Sequence, residues 1–358
     1  VWKYYSVSTA NWADKIEIPA MEFTGGRALN IGCDGSTTFD VEDKEVNELV
    51  TATSIAPLER VLVATWLENA VYAGFITDID EDQGNGTLSV RHSDIWWLLQ
   101  RRYLLASRDN NAAAAAPIAW TGQPLAALAN YVVNRGMQGD PADRYNLPIA
   151  FSYEPGGATA DRTYFGYEFM SVSDALDDII KSNGGPYVEF DSRWASGTTS
   201  LEWSMRSGEL TSGEWEWDAT APKSAVSGLK LTTSAQKVSN KVYGTGEGSE
   251  RLKPVRTASS FTTAPALERV DNYGSKTIAE LSSRTLAGLN ASNEPTKQIS
   301  FSIPTDGAVS VADLQLGGTA HLKTAGLRQL SDGWHDWRLI QFDFNRELIN
   351  LQFQQIGG

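Results

Sequence analysis

Residues 60–102 carry the most informative pattern of apolar and polar positions in the chain. Segments 60–66 and 72–80 are predicted strands joined by a short turn. A third strand over 88–92 alternates Leu88 and Val90 with Ser89 and Arg91, as burial on one face requires. Gly84 and Asn85-Gly86 between the last two strands supply the positive φ of a tight hairpin turn. The spacing then becomes helical. Ser93 can cap a helix, Asp94 sits near its positive end, Ile95, Leu98 and Leu99 share a face, and Arg101 and Arg102 meet its negative end. An antiparallel sheet closed by a helix is the expectation. A similar three-strand pattern returns at 319–324, 337–343 and 348–355, so two related β-units are predicted.

Between them the pattern is mixed. Residues 107–117, with Asn110-Asn111 and five consecutive alanines, read as a surface connection. Pro124 opens a helix with Leu125, Leu128, Ala129 and Val132 on one face, closed by Arg135 and Gly136. Ser171 and Asp174 resemble a capping box for a second helix, with Val172, Ala175, Leu176, Ile179 and Ile180 as its stripe. Strands follow at 187–191, 201–205 and 214–218, and β structure resumes at 226–233, 240–243 and 298–303. The predicted fold class is therefore mainly β with an α+β insertion. A β-barrel or sandwich domain over 1–106 and a related one over 222–358, the latter with an inserted helix at about 275–290, flank a mixed middle domain over 107–221. Near the start, 39–41 reads as a short strand and 43–58 as a weak helix or irregular cover. Residues 1–18, with Trp2, Tyr4 and Tyr5, are either an arm laid on a neighbour or the first strand of their own domain.

Charge narrows the partners. Forty-four acidic against thirty basic side chains give a net charge of −14, so a phosphate backbone is repelled by the average surface and sequence-specific nucleic-acid binding is disfavoured. The same sign suits a wall that DNA slides past. Cys33 is the single cysteine, which excludes an intrachain disulfide or a cysteine metal cluster and reads as a buried spectator thiol. No apolar run approaches the ~18 residues of a membrane span, and neither membrane insertion nor a signal peptide is expected.

Motifs for chemistry are weak. Gly244, Gly246 and Gly248 follow a strand but lack the dinucleotide spacing and the phosphate-loop lysine, and a glycine-rich bulge accounts for them. His92, His321 and His335 have no metal-ligand spacing, no serine-nucleophile elbow exists, and the acids at 78–82 do not match a twelve-residue calcium loop. No catalytic, cofactor or metal residue is predicted, and the chain is not expected to be an enzyme. The alternative is a carbohydrate-active or carbohydrate-binding protein acting on cell-wall glycans. Glu214-Trp215-Glu216-Trp217-Asp218 alternates ring faces with carboxylates, as a sugar site would. The same alternation describes a strand with one face in a core and the other in water, which is the favoured reading.

Taken in order, several blocks resemble the tail-tip, or baseplate hub, proteins of long-tailed phages of the siphophage type. They are Val71-Tyr-Ala-Gly74-Phe-Ile-Thr-Asp-Ile79; Leu88-Ser-Val90 with Trp96-Trp97-Leu98-Leu99; Ser173-Asp-Ala-Leu-Asp-Asp-Ile-Ile180 leading into Tyr187-Val-Glu-Phe190; and Ser239-Asn-Lys-Val-Tyr-Gly244. The likeness spans nearly the whole chain and rests on the order of these patterns. It implies a homotrimer at the virion tail tip, made in the bacterial host cytoplasm. Two tube-like domains per protomer would adapt a sixfold tail tube to a threefold tip, around a channel for tape-measure protein and DNA. Distal tail ring or tube, tape-measure and other tail-tip or fibre proteins are the implied partners. No hydrolase or fibre extension is expected beyond the last strand. Trp2, Tyr4, Tyr5, Trp215 and Trp217 are candidate interface anchors, with core packing the alternative for each.

Overall fold

A computed structural model describes residues 1–261, 265–273 and 277–356. The first β-unit comprises β1 (Trp2–Ser8), β2 (Lys15–Glu17), β3 (Glu22–Ala28), β4 (Asp34–Asp40), α1 (Lys44–Leu49), β5 (Arg60–Trp66), β6 (Asn69–Asp82), β7 (Thr87–Ser93) and α2 (Ile95–Leu99). Its strands lie in the order β3-β4-β7-β6-β5-β1-β2, each antiparallel to its neighbour. The N-terminal segment is thus no arm. Trp2 to Ser8 register against Trp66 to Arg60 of β5, because the alternation that hides Tyr5 and Val7 on one face and Tyr4 and Ser6 on the other fits a strand covered on both sides. α2 is capped by Asp94, whose carboxylate accepts from Trp96 N, and not by Ser93, which ends β7.

The middle segment holds β8 (Ile118–Pro124), α3 (Leu125–Gly136), α4 (Ala142–Tyr145), β9 (Ile149–Tyr153), β10 (Thr159–Tyr164), α5 (Val172–Ile180), β11 (Tyr187–Trp194) and β12 (Leu201–Gly208). β8 pairs with β10, and β11-β12-β9 form a second small sheet. Ser171 is the N-cap of α5: its hydroxyl accepts from Asp174 N at 3.0 Å and donates to the Asp174 carboxylate at 2.7 Å, so the cap is made without the reciprocal backbone bond of a full capping box. α3 and α5 pack their apolar stripes with β12 against β1, β5 and β6, giving one core of Val61, Val63, Phe75, Leu128, Leu176 and Trp203. Strands covered on both faces need apolar residues at successive positions, which is why 61–64 and 70–76 do not alternate.

The second β-unit contains β13 (Glu214–Asp218) and β14 (Ser227–Ser234), then an insertion of β15 (Lys241–Thr245), β16 (Val255–Ser259), β17 (Glu268–Asn272) and α6 (Ile278–Asn290). It is completed by β18 (Thr296–Pro304), β19 (Thr319–Thr324), β20 (Gly333–Phe344) and β21 (Leu348–Gln355). Two boundaries differ from expectation. β13, expected in the middle domain, runs parallel to β19 and so belongs to the second unit; its partner is over a hundred residues away, beyond the reach of local pattern. The insertion is a helix with its own sheet, β16-β15-β17, whose short strands show little apolar alternation. The predicted start of that helix at 275–276 lies outside the described residues.

The two β-units share a strand order. β3-β4-β7-β6-β5-β1 in the first corresponds to β14-β18-β21-β20-β19-β13 in the second. The central strand of each meander, β6 and β20, carries a bulge against the strand that follows it, at 76/78 and at 339/341. They differ at one edge: β1 is antiparallel to β5, whereas β13 is parallel to β19. β3 joins them. Glu22 to Thr24 pair with β4, and Gly25 to Ala28 then pair with Phe344 to Gln341 of β20. A Cβ on Gly26 would sit 2.5 Å from the Phe342 carbonyl oxygen, so the crossing needs glycine there. The inner faces of both units make a second continuous core, including Phe23, Phe39 and Tyr72 from one and Trp217, Phe301, Phe342 and Phe353 from the other.

Candidate interaction surface

Period-two burial leaves a polar face on the joined sheet. In the second unit, Trp215, Trp217, Leu322, Trp337, Leu351 and Phe353 point inward, and the alternate positions are mostly polar, with Trp334 and Leu348 as exposed apolar exceptions. These outward side chains bond across strands. Ser302 Oγ donates to Asn350 Oδ1 at 2.7 Å, Asn350 Nδ2 to Asp343 Oδ1 at 2.6 Å, and Gln352 Nε2 to Gln298 Oε1 at 3.2 Å. Toward the parallel edge, His321 stands between Asp336 at 2.6 Å and Glu214 at 2.8 Å, and Lys323 Nζ donates to Asp218 at 3.0 Å. Bonds to Asp336 and Glu214 raise the His321 pKa above its usual value. Hydrogen bonds from Thr220 and then Lys323 hold Asp218 down at about 2. In the first unit the corresponding face presents Thr24, Ser36, Thr38 and Ser89, and becomes acidic at Asp40, Asp78, Asp80 and Asp82. Arg91 is paired there with Asp80 at 2.8 Å.

Behind this face, one buried ionic cluster ties three parts of the chain together. Arg27 on β3 lies 3.5 Å from Glu189 on β11, contacts Asp191, and donates to the Leu314 carbonyl at 3.0 Å. Arg206 on β12 donates to the other Glu189 oxygen from Nε at 2.9 Å and to Ser212 at 2.8 Å. Glu189 is 1 % exposed, so its charge depends on these two guanidinium groups. Sequence reasoning missed this cluster because its members sit 164 residues apart on segments with no local signature.

The predicted anchors fall mainly in the chain's own core. Tyr4, Tyr5, Trp215 and Trp217 are 5, 5, 8 and 7 % exposed. Trp215 stacks on Trp217, and Trp217 meets Phe301 and Phe353, so these rings are spent inside the protomer and have little surface to offer a sister subunit. Of the five, Trp2 alone is half-buried; it stacks on Phe344 and donates from Nε1 to the Arg346 carbonyl, bracing the first unit against the second. The same burial removes the ring platforms on which the sugar-binding reading relied: Glu214 and Glu216 point outward, away from both indoles. Gly244 lies within β15 opposite Arg256, where a Cβ would collide with Thr285, so close packing explains it. His92 is a core residue bonded to Thr37 and Tyr72. Cys33 is half-buried, and burial with nearby carboxylates pushes its thiol up to about 12.

No family model and no curated sequence matches the chain. Solved structures do. A tail protein from Neisseria meningitidis aligns over 99 % of this chain and 97 % of its own, with a TM-score of 0.61 at 10 % identity. The 43 kDa tail protein of prophage MuSo2 from Shewanella oneidensis aligns over 99 % and 98 %, with 0.60 at 11 % identity. The chain has the fold of phage tail proteins. A third structure with this tail-protein fold is an Escherichia coli component of the type VI secretion system, described as similar to the T4 tail proteins gp27 and gp5. It covers 95 % of this chain and 74 % of its own, with 0.51 at 10 % identity. In this tail-protein fold the mainly β architecture with several sheets is as the sequence predicted.

Proposed function

We propose that this chain is a structural subunit of a phage tail tip: a trimeric hub that adapts a sixfold tail tube to a threefold tip and encloses a channel for tape-measure protein and DNA. The observation that carries the reading is the repeated six-strand order within one polypeptide. Three copies present six related β-units, and a closed cyclic assembly of three satisfies both symmetries. The tail-protein fold supports it. The polar sheet face supports it as well, because hydroxyl, amide and carboxylate side chains give a phosphate backbone little to adhere to. Its neighbours in this reading are a distal ring or tube protein and the tape-measure protein, its place is the virion tail tip after synthesis in the host cytoplasm, and its role is non-enzymatic.

Native mass spectrometry of the full chain tests the copy number. A species of three times the 39.0 kDa chain mass is expected. A compact monomer at every concentration, able to release sugars from cell-wall glycan, would reject the hub in favour of the carbohydrate reading.

A further inference from the structure

Where α2 ends, arginines converge in a protein of net charge −14. Arg101, Arg102, Arg108 and Arg144 line an open groove of about 330 Å3 with Tyr103 and Tyr145, and no carboxylate among the described residues lines it. Two guanidinium groups contact the Tyr145 ring, with Arg102 at 5.2 Å and Arg108 at 4.7 Å from its centroid. Arg101 stacks 3.9 Å over Trp97. Their hydrogen bonds go to neutral acceptors: Arg101 to the Trp97 carbonyl, Arg102 to those of Gly136, Arg144 and Tyr145, and Arg108 to those of Gln138 and Tyr103. Arg135 beside them bonds the Leu105 and Ala106 carbonyls and the Gln138 amide. Among the described residues only Arg144 of this group has an acid, the exposed Asp143 at 3.5 Å. Burial, together with the neighbouring guanidinium, pushes both Arg102 and Arg108 below the usual arginine value. Like charges held this close repel one another until a counter-charge arrives.

The counter-charge lies on the same chain at the far end of β7. There the β6–β7 hairpin and the end of β4 expose Asp40, Glu42, Asp80, Glu81 and Asp82, with Arg91 engaging Asp80. Asp80, Glu81, Asp82 and Asp40 register against β7 residues Ser89 to Thr87, so at ~3.4 Å per residue they stand roughly 14–20 Å from the end of β7 where α2 begins, beyond the roughly 8 Å reach of charge at physiological salt. They cannot neutralise each other within one molecule. Two complementary patches at different places on one surface are what a head-to-tail contact between identical subunits requires. Planar guanidinium groups also pair well with carboxylates. We infer that the arginine groove is a docking site for the acidic β6–β7 hairpin of a second copy of this chain. The inference rests on the multi-copy hub reading and names the contact that holds the copies together.

The test uses the full chain, with native mass and sedimentation followed across salt concentration. The variants reverse exposed charges only: Arg101→Glu with Arg144→Glu on one side, Glu42→Lys with Glu81→Lys on the other, circular dichroism confirming that each folds. Each pair should weaken assembly by roughly 100-fold, added salt should do the same to the wild type, and the two reversals combined should restore association. A wild-type trimer that neither reversal disturbs overturns the docking contact and leaves the hub standing. A dimer that the reversals dissociate keeps the contact and overturns the threefold hub, whereas a wild-type monomer under all conditions overturns both. Salt-sensitive binding of single-stranded DNA that is lost in Arg101→Glu/Arg144→Glu, with assembly unchanged, assigns the groove to nucleic acid and overturns the inference.

Discussion

Asp94 shows how one side chain can set a pH response. It caps α2 and accepts a second bond from Cys33 N at 2.7 Å, yet burial raises its carboxyl to about 7. The folded protein therefore holds a proton that the unfolded chain releases near pH ~4. Stability at this site is greatest below that value and falls as pH rises to about 7. A carboxyl-carbon NMR titration should place the Asp94 midpoint near 7, and an ordinary value of about 4 would contradict the environment described. Glu189 tests the opposite situation, a buried charge that is paired. Arg206→Met leaves Glu189 with only the more distant Arg27, and urea unfolding should show a loss of about 3–5 kcal/mol. A change under about 1 kcal/mol, the scale of an exposed pair, would mean that the cluster does not hold the three segments together.

At the level of elements, β3 and β13 decide how the units join and close. Gly26→Val would drive a side chain into the Phe342 carbonyl, and a destabilisation of about 2 kcal/mol or more is expected in thermal or urea melts. Unchanged stability would show that the β3–β20 crossing is not tight. At the other edge, the raised His321 ties β13 to β20 across β19. Its contribution is full below pH 6.5, the unfolded value, and is lost as pH rises through the higher folded value. Proton NMR should show the imidazole midpoint above 6.5 and a downward shift in Asp336→Asn; equal midpoints would remove Asp336 as the cause. The meanders were legible in the sequence, because Leu88 and Val90 in one, Ile349 and Leu351 in the other, and the glycine turn at Gly84 to Gly86 agree locally. The role of β3 was not, since the strand its second half pairs with, β20, is remote in the chain, and β13 was misplaced because its parallel partner is remote too. Trp215 and Trp217 turn into the chain's own core, which alternation alone could not tell from a face that meets a neighbour.

For the whole molecule, the proposed hub depends on two related β-units in one chain, so that three copies can surround a channel. The joined sheet, the shared inner core and the ionic cluster fix the two units to each other and to the middle segment, so the chain would enter such a ring as one body. The most direct measurement is electron cryomicroscopy of the assembled full chain. A threefold ring with a central opening, built from six related β-units in alternation, is the predicted result. A closed particle without an opening, or a ring with any other number of chains, would contradict it.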